Sequence, residues 1–252
     1  MSSVDQKRPR ILSTIGEFWI EERREKGVGA ATGKLFGALW EFARDSTPDR
    51  LRARFGDADY DWDHRVNTTS GAVGWRDRLI GQFLTAYQPT GEAFFSEMMD
   101  ALQQQTNSSL QEFTFLDLGS GKGRALLMAS HYPFRRILGV ELLPSLNQIA
   151  QENITQYKSE SQRCFAIESI CADATSFAIP EGPLVLYLFN PFPEFALRRS
   201  LGNLQRHLSS KPRPFYLLYH NPVFEHILES QPFLRKLALT YQYSLYTAAP
   251  DR

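Results

Sequence analysis

The segment FLDLGSGKG, residues 115–123, constrains the fold of this chain more than any other part of the sequence. An apolar run that ends at Asp117 leads into three glycines at alternate positions, and a helical pattern follows. Glycines let a backbone approach a ligand closely, and a helix N-terminus supplies N–H donors. A dinucleotide-binding turn, G-x-G-x-x-G, would need its third glycine at position 124, where Arg124 stands. The segment therefore predicts a strand, a turn and a helix whose leading carboxylate suits a cationic amine better than a pyrophosphate.

The residues from 113 onward alternate between short β-rich runs and helical stretches. Strands are predicted at 113–118, 136–141, 164–170, 184–189 and 215–219, and the alternation over 234–247 predicts an antiparallel pair with a turn near Thr240. Helices are predicted at 123–131, 145–157, 194–208 and 223–230. This succession is typical of βαβ units and a parallel sheet, so we expect an α/β fold.

The first part of the chain has a different pattern. Helices are predicted at 11–24, 30–44, 49–55, 75–87 and 91–102, whereas residues 57–71 have turn residues without a sustained period and predict an aromatic, acidic loop. A polar stretch, residues 103–109, separates the two parts. We therefore expect a helical N-terminal extension or cap over residues 1–110 and a ligand-binding domain over residues 111–252.

The composition narrows the function classes. The chain has 252 residues with 42% hydrophobic residues, enough for a large core, which excludes a disordered protein. Basic and acidic residues both number 28, so no net charge attracts the chain to nucleic acid or to an anionic membrane. Cys164 and Cys171 suggest neither a disulfide framework nor a metal site, and no histidine has metal-ligand spacing. We expect a cytoplasmic protein without metal.

Two further carboxylates are predicted at strand ends. Glu141 ends the second strand, about 20 residues beyond the glycines, the position of ribose-binding acids. It could hold two ribose hydroxyls, or be an ordinary solvated acid. Asp173 follows the third strand, where it could accept a hydrogen bond from an adenine amino group, or cap a short helix.

Polar residues also follow the fourth and fifth predicted strands. Asn190, fixed by the proline after it, could offer its carbonyl oxygen to the N–H of a nucleophile while Phe192 borders the site; a proline turn that ends a strand is the alternative. His220 could accept a proton. Equally, Asn221 as N-cap and Pro222 as first helical residue explain that segment without catalysis.

DLGSGKG, GVE, CADA and FNPF, in this order at strand ends, resemble the motifs of class I S-adenosylmethionine-dependent methyltransferases. The resemblance covers residues 87–252 and implies a Rossmann-like seven-stranded sheet whose last two strands form a hairpin. It also implies S-adenosylmethionine as the cofactor. It assigns Asp117, Gly119 and Gly121 to the methionine portion, Glu141 to the ribose and Asp173 to the adenine end. Three further residues, Ser120, Gly123 and Asn190, are also expected to contact the cofactor.

Two finer resemblances concern the substrate. The segment 87–92, YQPTGE, is similar to the Y-G-E-T segment of the disruptor-of-telomeric-silencing type of lysine methyltransferases, which implies that Tyr87 and Thr90 close over the methionine portion. The chain departs from that family at Gln88 and Pro89, and we expect no basic tail for nucleosomes. The segment from Asn190 to Phe192 also matches in part the N-P-P-Y or D-P-P-Y motif of methyltransferases that act on adenine or glutamine.

The sequence therefore predicts an enzyme that transfers a methyl group to a nitrogen of a small molecule or a protein side chain. Asn190 would orient the acceptor, Tyr87 and Phe192 would exclude water, and His220 would take the proton. Two alternatives stay open: a non-catalytic subunit that binds the cofactor and supports a partner, and an adenine N-methyltransferase acting on nucleic acid.

Overall fold

A computed structural model describes residues 11–45, 58–69, 89–106, 108–210 and 212–249 of the chain. Within these ranges, no helix is both long enough and apolar enough to cross a membrane. The strands are β1 Thr114–Leu118, β2 Arg136–Glu141, β3 Ile167–Cys171, β4 Leu184–Phe189, β5 Phe215–His220, β6 Leu234–Leu239 and β7 Tyr243–Ala248. Each predicted strand is present, with ends that differ by at most three residues.

These strands form a seven-stranded sheet with the order β3-β2-β1-β4-β5-β7-β6. Strands β1 to β5 are parallel, and β7 pairs antiparallel with both β5 and β6. The structure thus confirms the α/β class and the Rossmann-like seven-stranded sheet with a terminal hairpin. The chain order reverses between β1 and β4, and ligands of open α/β sheets bind outside the carboxyl ends of the strands at such a point.

The helices in the described ranges are α1 Ile11–Asp45, α2 Ala58–His64, α3 Glu92–Gln105, α4 Arg124–Ala129, α5 Pro144–Gln156, α6 Glu194–Ser210 and α7 Glu225–Glu229. Helix α1 spans both helices predicted there, and Gly27 between them has non-helical φ and ψ of 86° and 167°. The predicted helices at 49–55 and 75–87 lie outside the described residues.

The prediction of a loop over residues 57–71 is wrong, because α2 lies within it. Asp59 and Asp61 stand in its first turn, where carboxylates interact favourably with the positive end of the helix dipole. A helix of seven residues is less than two full turns, so it shows no sustained hydrophobic period.

The core has two parts, one on each face of the sheet. The first part joins α2, α3 and α4 to the strands, and its members include Tyr60, Phe95, Met98, Met99, Leu102, Phe115, Leu126 and Tyr187. The second part joins α6 to the strands, and its members include Leu116, Leu186, Leu188, Leu197, Leu201, Leu204 and Tyr219. Since α3 precedes residue 110 and packs in the same core as β1, residues on both sides of the predicted boundary contact each other. The division at residue 110 stays a prediction.

Candidate functional site

The loop between β1 and α4 requires its glycines. Gly119, Gly121 and Gly123 have φ values of 87°, 54° and 84°, a region that other L residues rarely adopt. A Cβ at position 119 would lie 2.4 Å from Cβ of Pro191, and one at position 123 would lie 3.2 Å from Cβ of Ala150. The glycines therefore permit both the turn and the close approach of the β4–α6 loop and of α5.

Glu141 at the end of β2 holds this loop in place. Its Oε2 accepts a hydrogen bond from the backbone N–H of Gly121 at 2.8 Å, and its Oε1 accepts one from the N–H of Leu143 at 2.8 Å. The residue is 7% exposed. Glu141 thus ties the glycine-rich loop to the end of β2, and its contact with a ribose stays a prediction.

Asp117 lies in β1 between Gly139 of β2 and Tyr187 of β4. It is 3% exposed, and no donor among the residues that the structure describes hydrogen-bonds to its carboxylate. Burial, and then the negative charge of Glu141, raise the pKa of Asp117 well above its ordinary value. A cation is the group that would favour the ionised form here, so the site fits the ammonium group of an amino-acid portion.

Ser120 packs against β2. Its Oγ would lie 2.6 Å from a Cβ at position 139, which explains the glycine at that place in β2. Its backbone N–H donates to the carbonyl oxygen of Val140 at 3.1 Å. The side chain of Ser120 thus shapes the loop, and its contact with a cofactor stays a prediction.

Asp173 lies on the loop after β3 and is exposed. Its Oδ1 accepts hydrogen bonds from the backbone N–H and from Oγ1 of Thr175, both at 2.8 Å. This is an Asx-type turn, and no helix begins in the described residues 172–183, so Asp173 is not an N-cap. Its position at the carboxyl edge of β3 is the one that the sequence predicts.

A buried hydrogen-bonded chain connects Thr90, Tyr187 and His220. The Tyr187 hydroxyl lies 2.9 Å from Oγ1 of Thr90 and 3.0 Å from Nδ1 of His220. Burial, followed by the charge of Asp117, raises the pKa of Tyr187 well above its ordinary value. Burial also lowers the pKa of His220 from 6.5 to about 4. All three groups are therefore neutral near pH 7.

Asn190 and Phe192 follow β4 and have neighbours in the second part of the core. Asn190 has a φ of 42°, and its Oδ1 accepts a long hydrogen bond, 3.4 Å, from the hydroxyl of Tyr219. Tyr219 and Phe192 belong to the second part of the core, whereas Tyr187, the partner of His220, belongs to the first. The structure therefore brings Thr90 and His220 together but does not join Asn190 to them.

Tyr87 and Asn221 are two further residues that the sequence singles out. Tyr87 lies outside the described residues, so its predicted contacts with the cofactor and the acceptor stay predictions. The alternative that Asn221 caps a helix is wrong: α7 begins at Glu225, and Asn221 has a left-handed φ of 49°. The N–H of Asn221 instead donates to the carbonyl oxygen of Gln242 at 2.7 Å.

Sequence reasoning missed Lys122, the lysine of the glycine-rich loop. It is 0% exposed, and its Nζ donates to Oδ1 of Asn67 at 3.0 Å and to the carbonyl oxygen of Thr69 at 2.6 Å. Burial lowers its pKa to about 8, although the charge of Asp61 acts in the opposite direction. Lys122 thus ties the glycine-rich loop to residues 58–69, which we call the 58–69 segment.

Asn153 of α5 fixes the same segment from a second side. Its Oδ1 accepts from the N–H of Asn67 at 2.8 Å, and its Nδ2 donates to the carbonyl oxygens of Asn67 and Lys122 at 3.0 Å and 2.9 Å. Within the segment, Asp61 accepts the backbone N–H groups of Thr68 and Thr69. The 58–69 segment, the glycine-rich loop and α5 therefore form one hydrogen-bonded unit.

The chain is similar in part to several known proteins. No family model matches the chain. A release factor glutamine methyltransferase from Vibrio cholerae is 36% identical over 75 residues, which are 29% of this chain and 26% of that protein. The matched part is thus about a quarter of the length of that relative.

Several solved structures are also similar in part to this chain. An RNA methyltransferase from Salinibacter ruber in complex with S-adenosyl-L-homocysteine is 20% identical, with a TM-score of 0.44 over 66% of this chain and 96% of that chain. A predicted N6-adenine-specific DNA methylase from Listeria monocytogenes is 16% identical, with a TM-score of 0.47 over 66% of this chain and 52% of that chain. At such low identities, what this chain binds has to be inferred from its own residues.

Proposed function

We propose that this protein is an S-adenosylmethionine-dependent methyltransferase that methylates a nitrogen of a small molecule or a protein side chain. The observation that carries the proposal is Asp117: a buried carboxylate at the switch point of the sheet, beside a glycine loop with positive φ, without a described donor. An isolated buried carboxylate is costly. The ammonium group of a methionine portion would stabilise it.

The residues around Asp117 would hold the rest of the cofactor. The glycine loop would allow the backbone to approach the methionine portion, and Glu141 at the end of β2 would bind the ribose hydroxyls. Both hydrogen bonds of Asp173 within its turn use Oδ1, which leaves Oδ2 to accept an adenine amino group. When bound, S-adenosylmethionine supplies a methyl group already activated by its sulfonium.

The protein would then align the acceptor and exclude water. Asn190, with Phe192 beside it, is the group we assign to an acceptor N–H, because the hydrogen bond of its Oδ1 to Tyr219 is long and easily exchanged. The partial match of this segment to N-P-P-Y and the name of the Vibrio cholerae relative support a nitrogen acceptor. Thr90, with Tyr87, would close the methionine end, as in the disruptor-of-telomeric-silencing type.

The zero net charge favours a small molecule or a protein over nucleic acid as the partner. Neither Cys164 nor Cys171 is in a disulfide, which agrees with the cytoplasmic location that we propose.

Calorimetric titration tests the cofactor. We expect micromolar binding of S-adenosylmethionine and S-adenosylhomocysteine and none of NAD. Asp117→Asn removes the charge but keeps the shape, so it should weaken binding of S-adenosylmethionine about tenfold to a hundredfold, the effect of losing a charged hydrogen bond. Its thermal stability should be unchanged or higher, because burial opposes the charge of Asp117.

Glu168→Gln is the matched control, since Glu168 is an exposed carboxylate on β3, and it should bind as the unsubstituted protein does. Failure of the unsubstituted protein to bind either compound would contradict the proposal. Equal affinity in Asp117→Asn would remove Asp117 from the cofactor site.

Methyl transfer tests the reaction. Cofactor with a labelled methyl group is incubated with small amines and amides, with protein extract and with nucleic acid, and Asn190→Ala is compared with the unsubstituted protein. Label in an amine, amide or protein that is lost in Asn190→Ala supports the proposal. Label in nucleic acid would favour the adenine methyltransferase, and cofactor binding without any transfer would favour a non-catalytic subunit.

A further inference from the structure

The ring of His220 is fixed on several sides. It stacks on Phe189 with 4.0 Å between ring centroids and 18° between planes, and Phe94 lies 6.5 Å away. Nδ1 lies 3.0 Å from the hydroxyl of Tyr187, and no described residue hydrogen-bonds to Nε2. His220 ends β5 beside Phe189 of β4, which immediately precedes Asn190. Nε2 is thus the nitrogen of this ring left for a ligand at the carboxyl edge.

The Tyr187 hydroxyl has one proton and two neighbours, so the proton goes either to Nδ1 of His220 or to Oγ1 of Thr90. A phenol is a stronger donor than an aliphatic hydroxyl, and an imidazole nitrogen is a stronger acceptor than a hydroxyl oxygen. The favoured arrangement has Thr90 donating to Tyr187 and Tyr187 donating to Nδ1. A neutral imidazole that accepts at one nitrogen carries its proton on the other.

We propose that Thr90 and Tyr187 are positioning residues that hold His220 as the neutral tautomer protonated at Nε2, so that His220 donates a hydrogen bond to the methyl acceptor. His220 then does not take the proton of the acceptor. The low pKa of His220, about 4, agrees with a ring that stays neutral. The acceptor would carry an oxygen or an unprotonated ring nitrogen beside the nitrogen that is methylated, and this atom would accept the hydrogen bond from Nε2. A simple alkylammonium group has no such atom. This last step rests on the proposed function.

Nuclear magnetic resonance tests the tautomer without any cofactor, so its outcome does not depend on the methyltransferase proposal. The chain has five histidines, and His220→Gln identifies the signals of His220 in protein labelled with ¹⁵N in the histidine rings. We expect Nε2 to be protonated and Nδ1 to be unprotonated near neutral pH. In Tyr187→Phe the donor to Nδ1 is lost, and we expect a mixture of both tautomers.

If Tyr187→Phe fails to fold, Thr90→Val independently determines whether the Tyr187 hydroxyl donates its hydrogen bond to His220 or to Thr90. If Tyr187 donates to His220, the tautomer is unchanged in this variant. If Tyr187 instead donates to Thr90, loss of that partner would turn its proton toward Nδ1 and change the tautomer. The matched control is Tyr157→Phe, because the hydroxyl of Tyr157 lies 2.6 Å from Nε2 of another histidine, His131. This variant should leave the signals of His220 unchanged.

Protonation at Nδ1 in the unsubstituted protein, or unchanged His220 signals in folded Tyr187→Phe, would overturn the assignment of the tautomer. The role toward the acceptor is tested with the substrate found in the transfer assay. His220→Gln keeps an N–H donor and should retain most of kcat/KM, whereas His220→Ala should lose about tenfold. Equal loss in both variants would indicate that His220 acts as a base.

Discussion

The burial of His220 predicts how the free energy of unfolding depends on pH. The pKa of this ring is about 4 in the folded protein, against an ordinary value of 6.5. Between these values the unfolded chain binds a proton that the folded protein does not, so acid favours unfolding. The contribution of neutral His220 to stability is complete above pH 6.5 and is lost as the pH falls toward 4. At about 1.4 kcal/mol per pH unit, the loss is about 2 kcal/mol by about pH 5 and about 3 kcal/mol by about pH 4.

The assay is urea unfolding of the unsubstituted protein and of His220→Gln, followed by circular dichroism at a series of pH values between about 7.5 and 4. The quantity of interest is the difference between the two free energies of unfolding. Asp117 has a raised pKa and therefore contributes with the opposite sign, but it is present in both proteins and cancels in the difference. We expect the advantage of the unsubstituted protein over the variant to fall as the pH is lowered.

If the two proteins lose stability in parallel across this range, His220 titrates alike in the folded and unfolded states, which contradicts the prediction. A difference that grows toward acid pH would show that the folded protein stabilises the protonated ring.

Two further predictions concern the glycine-rich loop. Gly119→Ala should lower the free energy of unfolding by about 2 kcal/mol or more, because position 119 has a positive φ and an added Cβ would collide with Pro191. Gly202→Ala, in an open position of helix α6, should raise the free energy of unfolding by about 0.5–1 kcal/mol. Thermal unfolding of both variants checks these effects, and equal changes in the two would contradict the prediction. Lys122→Met should remove a dependence on pH: because the pKa of Lys122 is lowered from 10.5 to about 8, the unsubstituted protein should gain stability relative to the variant as the pH rises between these values. Urea unfolding at the two ends of this pH range measures the difference in free energy of unfolding between the two proteins, and an unchanged difference would contradict the prediction.

The sheet could be predicted from the sequence because a buried strand has a local hydrophobic pattern. Strands that are buried on both faces are continuous apolar runs, as in β4, and the ends of such runs locate Asp117, Glu141 and Asn190 along the chain. The parallel order then places these residues at one edge without any knowledge of side-chain contacts.

The remaining part of the site depends on contacts between residues far apart in the chain, which no local sequence pattern indicates. Lys122 looks like an ordinary loop lysine, since its partners Asn67 and Thr69 are 55 and 53 residues away. Tyr187 looks like one more large residue of a buried strand, and only the structure places its hydroxyl between Thr90 and His220. Helix α2 is too short to have a period, so its acids and aromatics resemble a loop.

The hydrogen bonds between the 58–69 segment and α5 can form only after α5 has been synthesised. Asn67 and Asn153 are separated by 86 residues, and a ribosome adds roughly 5–20 residues per second. The 58–69 segment therefore leaves the ribosome several seconds, roughly 4–17 s, before its partner exists. During that interval its polar groups are satisfied by water, and the glycine-rich loop acquires its final support only after α5 has been made. A nascent chain halted between α4 and α5 would contain the whole glycine motif but lack Asn153, which binds the carbonyl oxygen of Lys122 in the folded protein.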